Sequence, residues 1–307
     1  MFEKPLGGTE LMLEELKRRL DPSILQEFCI FNYAGQADFS KRMIYWNQLS
    51  YDQEAVSFLS YAENINRIEK FVFVSHWQCE QFRKKFRIPG EKSCVIKNAC
   101  LGVPQWIPRK GKIRLCYLST PWRGLDVLLR AWEMLSLDPE EFELHIFSSC
   151  KIYGPEYSSE DQKYQYLYDW CSRLPGVIYR GSIPNELLRA ELSEFDILAY
   201  PCTFEETSCI SLIDSLSAGL RAVCSSIGAI PETSEGWTRI YSYIEDRESH
   251  ARVFSEVLRD EVNSVRKADS DSILSTQSRE YGERWSWDSR ILEWNKMIEK
   301  LRIVDGK

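Results

Sequence analysis

Short apolar runs with strand character alternate with amphipathic helical segments along most of the chain. Apolar residues at helical spacing predict helices over 53–67, 77–86, 125–135, 161–174 and 186–192, and a last one over 285–301. Strand-like runs occupy 27–33, 42–48, 70–75 and 93–98, and a second series occupies 114–119, 143–149, 176–183, 195–200 and 221–225. Such alternation is typical of parallel sheets covered by helices on both faces. We therefore predict an α/β protein with two doubly wound, Rossmann-like domains.

A polar segment with two prolines, over 103–112, separates the two series and suits a linker. The predicted division is an N-terminal domain over 1–105, a second domain over 106–282 and a C-terminal helix over 283–307. In open parallel sheets, ligands bind beyond the carboxyl ends of the strands. The binding site is therefore expected at those ends.

The stretch over 201–219 places an acidic loop and a helix start between two strand-like runs. The helix is predicted to begin near Ser208 or Cys209, so that the amides around it point outward and favour an anion such as phosphate. Glu206 in the loop and Asp214 in the helix can accept hydrogen bonds from sugar hydroxyls. Together these features suit a ligand with both hydroxyls and phosphates. A capped helix with incidental acidic residues is the alternative interpretation.

A glycine pair, Gly7 and Gly8, precedes the first amphipathic helix. Thr9 or Gly8 can cap that helix. Glycine lets a ligand approach the backbone closely, and a helix N-terminus attracts anions. A simple turn before a helix is the alternative.

Composition narrows the function classes. The chain has 307 residues with 44% hydrophobic content and a formal net charge of −7, which indicates a folded protein and argues against broad binding to nucleic-acid backbone. Three scattered histidines and ten cysteines without zinc-ligand spacing argue against a metal site. No apolar run reaches the length of a membrane span, and no secretory signal is visible, so reduced thiols and a cytoplasmic location are expected.

With these motifs placed, the sequence resembles the retaining nucleotide-sugar glycosyltransferases of the GT-B fold, close to family 4 (group 1). The most specific match is 206–232, which resembles the family's signature of two glutamates eight positions apart, then a glycine, a strand and a Gly-x-x-Pro-Glu turn. Glu206 takes the first acidic position, and Asp214 replaces the usual second glutamate. Other matches are Gly7 to Glu10, Val95 to Asn98, the segment 119–132, and the helix over 285–301, which commonly crosses back onto the N-terminal domain.

The resemblance implies a donor nucleotide held by the second domain in a cleft, with the first domain on the acceptor side. Arg123 fills the position of the family's phosphate-binding lysine, while Ser119 and Thr120 stand where a second cation is common. The turn at Ser182 and Ile183 resembles the one that meets the base. The implied catalytic residues are Glu206, Arg123 and Asn47; the implied donor-binding residues are Gly7, Gly8, Ser119, Thr120, Arg123, Ser182, Ile183, Glu206, Thr207, Ser208, Cys209, Ile210 and Asp214.

The implied reaction moves a sugar from a UDP- or GDP-sugar to a hydroxyl of a carbohydrate, lipid-linked or other acceptor, with retention of configuration and without a metal ion or other cofactor. Many relatives carry a histidine at about the position of Asn47. An asparagine side chain cannot accept and release a proton as a histidine can. Relatives also have a full strand before the glycine pair, so either the first sheet lacks that strand or the given sequence starts after it. A nucleotide-sugar-binding protein with little or no turnover is therefore the alternative. A nucleic-acid-modifying sugar transferase fits the fold but not the acidic charge.

A basic cluster over 82–92 contains Phe82 and Phe86. It is interpreted as a solvated helix face. The alternative is contact with an acidic acceptor or with lipid headgroups, the latter implying a weak membrane-surface contact and a peripheral location. The oligomeric state is not predicted.

Overall fold

The structure is a computed structural model that describes residues 7–154, 157–265 and 270–304. Its strands are β1 (Phe28–Phe31), β2 (Arg42–Asn47), β3 (Lys70–Phe73), β4 (Ser93–Val95), β5 (Ile113–Leu118), β6 (Phe142–Phe147), β7 (Val177–Tyr179), β8 (Ile197–Tyr200), β9 (Arg221–Ser225) and β10 (Arg239–Tyr241). Its α-helices are α1 (Gly8–Arg19), α2 (Pro22–Glu27), α3 (Ala62–Arg67), α4 (His76–Phe86), α5 (Leu125–Leu135), α6 (Ser158–Gln162), α7 (Gln165–Arg173), α8 (Asn185–Glu191), α9 (Ile210–Ser217), α10 (Ile230–Ser234), α11 (Arg247–Ser264), α12 (Ser270–Arg284) and α13 (Trp287–Val304).

The first domain is built on a four-stranded sheet in the order β1-β2-β3-β4, with all neighbours parallel. Its strands are short and almost wholly apolar, as expected for a sheet that is buried on both faces. Within the described residues β1 is the first strand, and it follows α1 and α2. Residues 1–6, where a strand before the glycine pair would fall, lie outside the described residues.

The second domain is built on a six-stranded parallel sheet in the order β10-β9-β8-β5-β6-β7. The chain starts this sheet at β5, extends it to β7 on one side, and then returns to add β8 on the other side of β5. The order reverses between β5 and β8, and this switch point leaves a crevice beyond the carboxyl ends of those two strands. The loops that carry Arg123 and Glu206 follow these same two strands. The predicted α/β class with two Rossmann-like domains is confirmed.

The C-terminal helix α13 returns to the first domain, as expected. The ring of Trp294 on α13 packs edge-on against that of Trp46 on β2, with centroids 5.3 Å apart. Near its end, Arg302 donates to a carboxylate oxygen of Glu27 over 2.9 Å. Ser286 caps the start of α13, since its hydroxyl accepts from the amide of Ser289.

The basic cluster over 82–92 presents charge but not its aromatic rings. Phe82 and Phe86 are buried in the core of the first domain, whereas Arg83, Lys84 and Lys85 are exposed. The arrangement matches the solvated helix face that was predicted. None of the described helices combines the length and the apolar character that a membrane crossing requires.

Candidate active site

The loop after β5 brings Arg123 to the switch point through a tight backbone path. Residues Pro121–Arg123 form a 3-10 turn, and Gly124 then adopts a φ of 113°. A Cβ atom on Gly124 would lie 2.2 Å from the carbonyl oxygen of Pro201. Only glycine permits both this conformation and this approach, so the loops after β5 and β8 are held side by side.

Arg123, Glu206 and Tyr200 form a network at the switch point. Nη1 of Arg123 donates to Oε1 of Glu206 over 2.9 Å, and the hydroxyl of Tyr200 donates to the same oxygen over 2.6 Å. The hydroxyl of Ser119 lies 3.3 Å from that of Tyr200. Both of these bonds to Glu206 reach Oε1, and within the described residues Oε2 has no hydrogen-bond partner. That oxygen is therefore available to a ligand.

Glu206 is buried, with 6% of its surface exposed, while 23% of the Arg123 side chain is exposed. Burial opposes the charge of Arg123, but the carboxylate of Glu206 outweighs it, so the pKa of the guanidinium is raised well above its ordinary value. The guanidinium carbon also lies 4.4 Å from the ring centroid of Phe204, close enough for a cation–π contact. Arg123 is thus a fixed positive charge beside the cleft.

The backbone of Glu206 is held by the turn that begins α10. The carbonyl oxygen of Glu206 accepts from the amide of Ala229 over 2.7 Å. Gly228 has a φ of 61°, and a Cβ on it would lie 2.5 Å from that same oxygen. The glycine of the Gly-x-x-Pro-Glu turn is required here because a side chain would prevent the turn from packing on the acidic loop.

A cavity of about 630 Å³ opens between the two domains above this network. Helix α9 begins at its wall, with Cys209 as the N-cap, so the predicted helix start is confirmed to within a residue. The glycine pair faces it from the first domain: a Cβ on Gly8 would lie 2.6 Å from Cδ1 of Ile210. The lining includes Gly7, Gly8, Glu10, Tyr33 and Gln48 from the first domain, and Ser119, Thr120, Arg123, Glu206, Thr207, Ser208, Cys209, Ile210 and Ser211 from the second.

This wall of the cavity can bind an anion. The first N–H groups of α9 have no acceptor within the helix, and the helix dipole adds positive potential there. Arg123 supplies a formal positive charge beside the same cavity. A diphosphate is the kind of group that suits amides and a guanidinium together.

Aromatic side chains that the sequence reading did not single out form one edge of the cavity. Trp122 stacks on Tyr153 with centroids 6.0 Å apart, Trp122 also contacts Tyr164 at 5.9 Å, and Tyr153 meets Tyr157 edge-on at 5.7 Å. All four line the cavity, and Tyr153 and Tyr157 are exposed. We call this group the aromatic wall; its flat faces suit a sugar ring or a nucleobase.

Ser182 and Ile183 lie in a smaller, adjoining cavity of about 40 Å³ rather than in the main one. The two cavities share Ile152 and, at the end of β5, Leu118, Ser119 and Thr120. The expected base-binding turn is therefore a neighbour of the main site, reached past the carboxyl end of β5.

The structure does not support the expected contact from Asn47. Its side chain is fully buried and does not line the cavity. Oδ1 accepts from the hydroxyl of Tyr45 and from the amide of Leu49, and Nδ2 donates to the carbonyl of Leu49. All of these bonds are local to the end of β2. The next residue, Gln48, is the one that lines the cavity.

Asp214 is also outside the cavity. Its carboxylate accepts from the amide of Leu101, in the connection between the domains, over 3.3 Å. Burial raises the pKa of Asp214 to about 6. The expected donor contact from Asp214 is therefore not supported; the shorter aspartate side chain contacts the interdomain connection instead.

No cluster of three or more histidine, cysteine, aspartate or glutamate side chains suited to a metal ion occurs in the described parts of the chain. All ten cysteines are free thiols. His250 is buried, and its Nε2 lies 2.6 Å from the hydroxyl of Tyr241. Burial lowers the pKa of His250 to about 4.

Comparison with known proteins gives a family likeness for the second domain. Residues 113–260, which include every strand of the second sheet, match the family model described as "Glycosyl transferases group 1". A comparison with curated protein sequences finds no match.

Several solved structures are similar to this chain over most of its length. A glycosyltransferase from Rickettsia africae superposes with a TM-score of 0.69 at 12% identity, covering 98% of this chain and 83% of that one. Sucrose-phosphate synthase from Thermosynechococcus elongatus gives a TM-score of 0.68 at 12% identity, covering 96% and 79%. HepE from Anabaena, in complex with UDP-glucose, gives a TM-score of 0.63 at 13% identity, covering 85% and 73%. The GT-B fold and the resemblance to the group 1 glycosyltransferases are thereby confirmed.

Proposed function

We propose that this protein is a retaining glycosyltransferase that moves a sugar from a nucleoside-diphosphate sugar to an acceptor hydroxyl without a metal ion. The observation that carries the proposal is the meeting of Arg123 and Glu206 at the switch point, in one cavity with the glycine pair and the start of α9. A cation, helix amides and a buried carboxylate with one unpaired oxygen suit a diphosphate joined to a sugar. A uridine donor is favoured over a guanosine donor, since HepE of similar fold binds UDP-glucose.

Arg123 and the amides at the start of α9 act on the leaving group. Transfer breaks the bond between the anomeric carbon and the diphosphate oxygen, and the electron pair leaves with the phosphate. Preorganised positive groups stabilise that growing charge, and such electrostatic stabilisation is usually the largest catalytic contribution. These groups supply the role that a bound cation has elsewhere.

Glu206 orients the Arg123 guanidinium and the donor sugar. Its Oε1 holds Arg123 and Tyr200, and its Oε2 accepts a hydroxyl of the donor sugar. The acceptor hydroxyl attacks from the face that the diphosphate leaves, its oxygen forms the new bond to the anomeric carbon, and its proton passes to a phosphate oxygen. This route needs no protein base, which is consistent with the inward-facing Asn47.

The test is incubation of the protein with UDP- and GDP-sugars, each with and without a mixture of saccharide and lipid-linked acceptors. We expect release of UDP, a product of retained anomeric configuration by NMR, and no loss of rate with a chelator. Glu206→Ala should abolish most of the release, whereas Glu194→Ala, an exposed glutamate in the same domain, serves as its matched control. Binding of a nucleotide sugar without release under every condition would instead establish a binding protein.

A further inference from the structure

Glu232 of the second domain binds the start of a helix in the first domain. Its Oε2 accepts from the amide of His76 over 2.8 Å and from that of Trp77 over 3.2 Å, while Oε1 lies 3.0 Å from the His76 nitrogen. These are the first two residues of α4, whose amides have no acceptor within the helix. A carboxylate there is stabilised by charge-assisted hydrogen bonds and by the helix dipole.

Helix α10, which carries Glu232, is also fastened to the acidic loop of the candidate site. Gly228 and Ala229, just before α10, pack on and bond the backbone of Glu206, as described above. Ala229 and Glu232 are only three positions apart, so the contact with α4 and the contact with Glu206 belong to one short segment. This segment therefore connects the first domain to the loop that holds Glu206.

Two further contacts cross between the domains close to this segment. Nζ of Lys97 lies 3.2 Å from a carboxylate oxygen of Glu235, at the end of α10. The hydroxyl of Thr207, next to Glu206, donates to the carbonyl of Gln48 over 3.0 Å. Lys97 and Glu235 are both partly exposed, so their ion pair contributes little by itself. Glu232 differs from these two links in making three contacts with one helix end.

We propose that Glu232 is a positioning residue for the transfer reaction, which closes the first domain over the donor site by binding the start of α4. The proposal rests on the proposed function for its kinetic consequence only. Glu232 is not among the residues that line the cavity, so it acts through the segment that holds Glu206 and through the placement of the glycine pair opposite α9. The closed arrangement brings Gly8 against Ile210, and loss of the link leaves the second domain's own groups in place.

The experiment compares Glu232→Ala and Glu232→Gln with wild type and with Glu256→Gln, an exposed glutamate on α11. We expect Glu232→Ala to lower kcat about tenfold, because hydrogen bonds to a charged group shift an equilibrium by about that factor or more. The dissociation constant for UDP should change less than threefold, since Arg123 and Glu206 remain in the second domain. Glu232→Gln keeps an acceptor oxygen and should rescue part of kcat.

Two structural readouts do not depend on turnover. Small-angle scattering should give a larger radius of gyration for Glu232→Ala with UDP bound, and hydrogen exchange should accelerate at the amides of 76–79. If these changes occur but wild type shows no turnover with any donor, the link is supported and the proposed function fails. If wild type turns over and Glu232→Ala keeps kcat within twofold, or loses kcat with unchanged scattering and exchange, the proposal is overturned. Glu232→Gln, which preserves shape, provides the same readouts if the alanine variant does not fold.

Discussion

Replacing Arg123 by alanine removes the guanidinium that bonds Glu206 beside the cavity, and its cost can be estimated from the geometry. Removing one preorganised donor to a developing negative charge typically costs about 3–4 kcal/mol, or roughly 100- to 1000-fold in kcat. Arg123 is already bonded to Glu206 over 2.9 Å, so the phosphate shares its positive charge with that carboxylate. We therefore expect the lower end of the range, a loss of about 100-fold in kcat.

The same change leaves Glu206 buried with one partner fewer. Breaking a fully buried ion pair destabilises a protein by about 3–5 kcal/mol. Here the Arg123 side chain is 23% exposed and Tyr200 still donates to Glu206, so a loss of about 1–2 kcal/mol is expected. The double variant Arg123→Ala/Glu206→Ala should recover most of that stability and none of the activity. This separation distinguishes a catalytic charge from a structural ion pair.

The assay measures UDP release at saturating donor, UDP affinity by calorimetry, and unfolding by urea titration. Arg123→Lys keeps a charge without the planar fork and should fall between wild type and alanine. Arg130→Ala, an exposed arginine on α5, is the matched control and should behave as wild type. A kcat for Arg123→Ala within threefold of wild type, with unchanged UDP affinity, would refute the placement of the leaving phosphate at this residue.

Three further changes probe the rest of the chain. The folded pKa of Asp214, about 6, lies above its unfolded value of about 4, so the stability that the protonated carboxyl contributes below pH 4 is lost as the pH rises through 6. Asp214→Asn should therefore raise the free energy of unfolding by up to about 3 kcal/mol at pH 7.5 and little at pH 4, with activity retained. Loss of activity in this variant would instead indicate a donor contact. His250, with a folded pKa of about 4, stays neutral in the folded protein while the unfolded chain gains a proton, so the free energy of unfolding should fall by up to about 3 kcal/mol from pH 6.5 to pH 4. Urea titrations of His250→Gln should show a weaker dependence of that free energy on pH. The same pH dependence in both proteins would contradict this assignment. Gly228→Ala should displace Glu206 and lower kcat at least tenfold, and normal kinetics would show that the turn does not hold that loop.

Much of the fold can be predicted from the local sequence, because buried strands and amphipathic helices have characteristic patterns of apolar residues. The helix starts at α9 and α13 could be placed from their neighbouring residues. The strand order could not, since the reversal between β5 and β8 joins residues about eighty positions apart. Short elements were also missed: α2 has six residues and β10 has three, too few for a periodic signal. The sequence pattern does not predict the long helices α11 and α12, because their sequences are only weakly apolar.

The site shows the same limit at the level of single residues. Alternation along β2 puts Tyr45 and Asn47 on one face, where Tyr45 is in an aromatic core, so Asn47 shares its buried environment and Gln48 does not. That reasoning was accessible from the sequence once the strand was predicted. The aromatic wall was not, because Trp122 and Tyr153 follow different strands and meet only through the order of the sheet.

The side chain and the backbone of Glu206 have different partners, and the backbone links the local site to the interdomain contact. Because Oε1 is bonded to Arg123 and Tyr200 within the second domain, the direction of Oε2 is determined by groups that do not depend on closure. The backbone of Glu206, however, bonds to the turn before α10, whose Glu232 reaches the first domain. Side-chain orientation and cleft closure therefore act on the same residue through separate bonds. On the proposed function, a donor would meet the preformed groups of the second domain first, and the glycine pair would complete the site when the domains close.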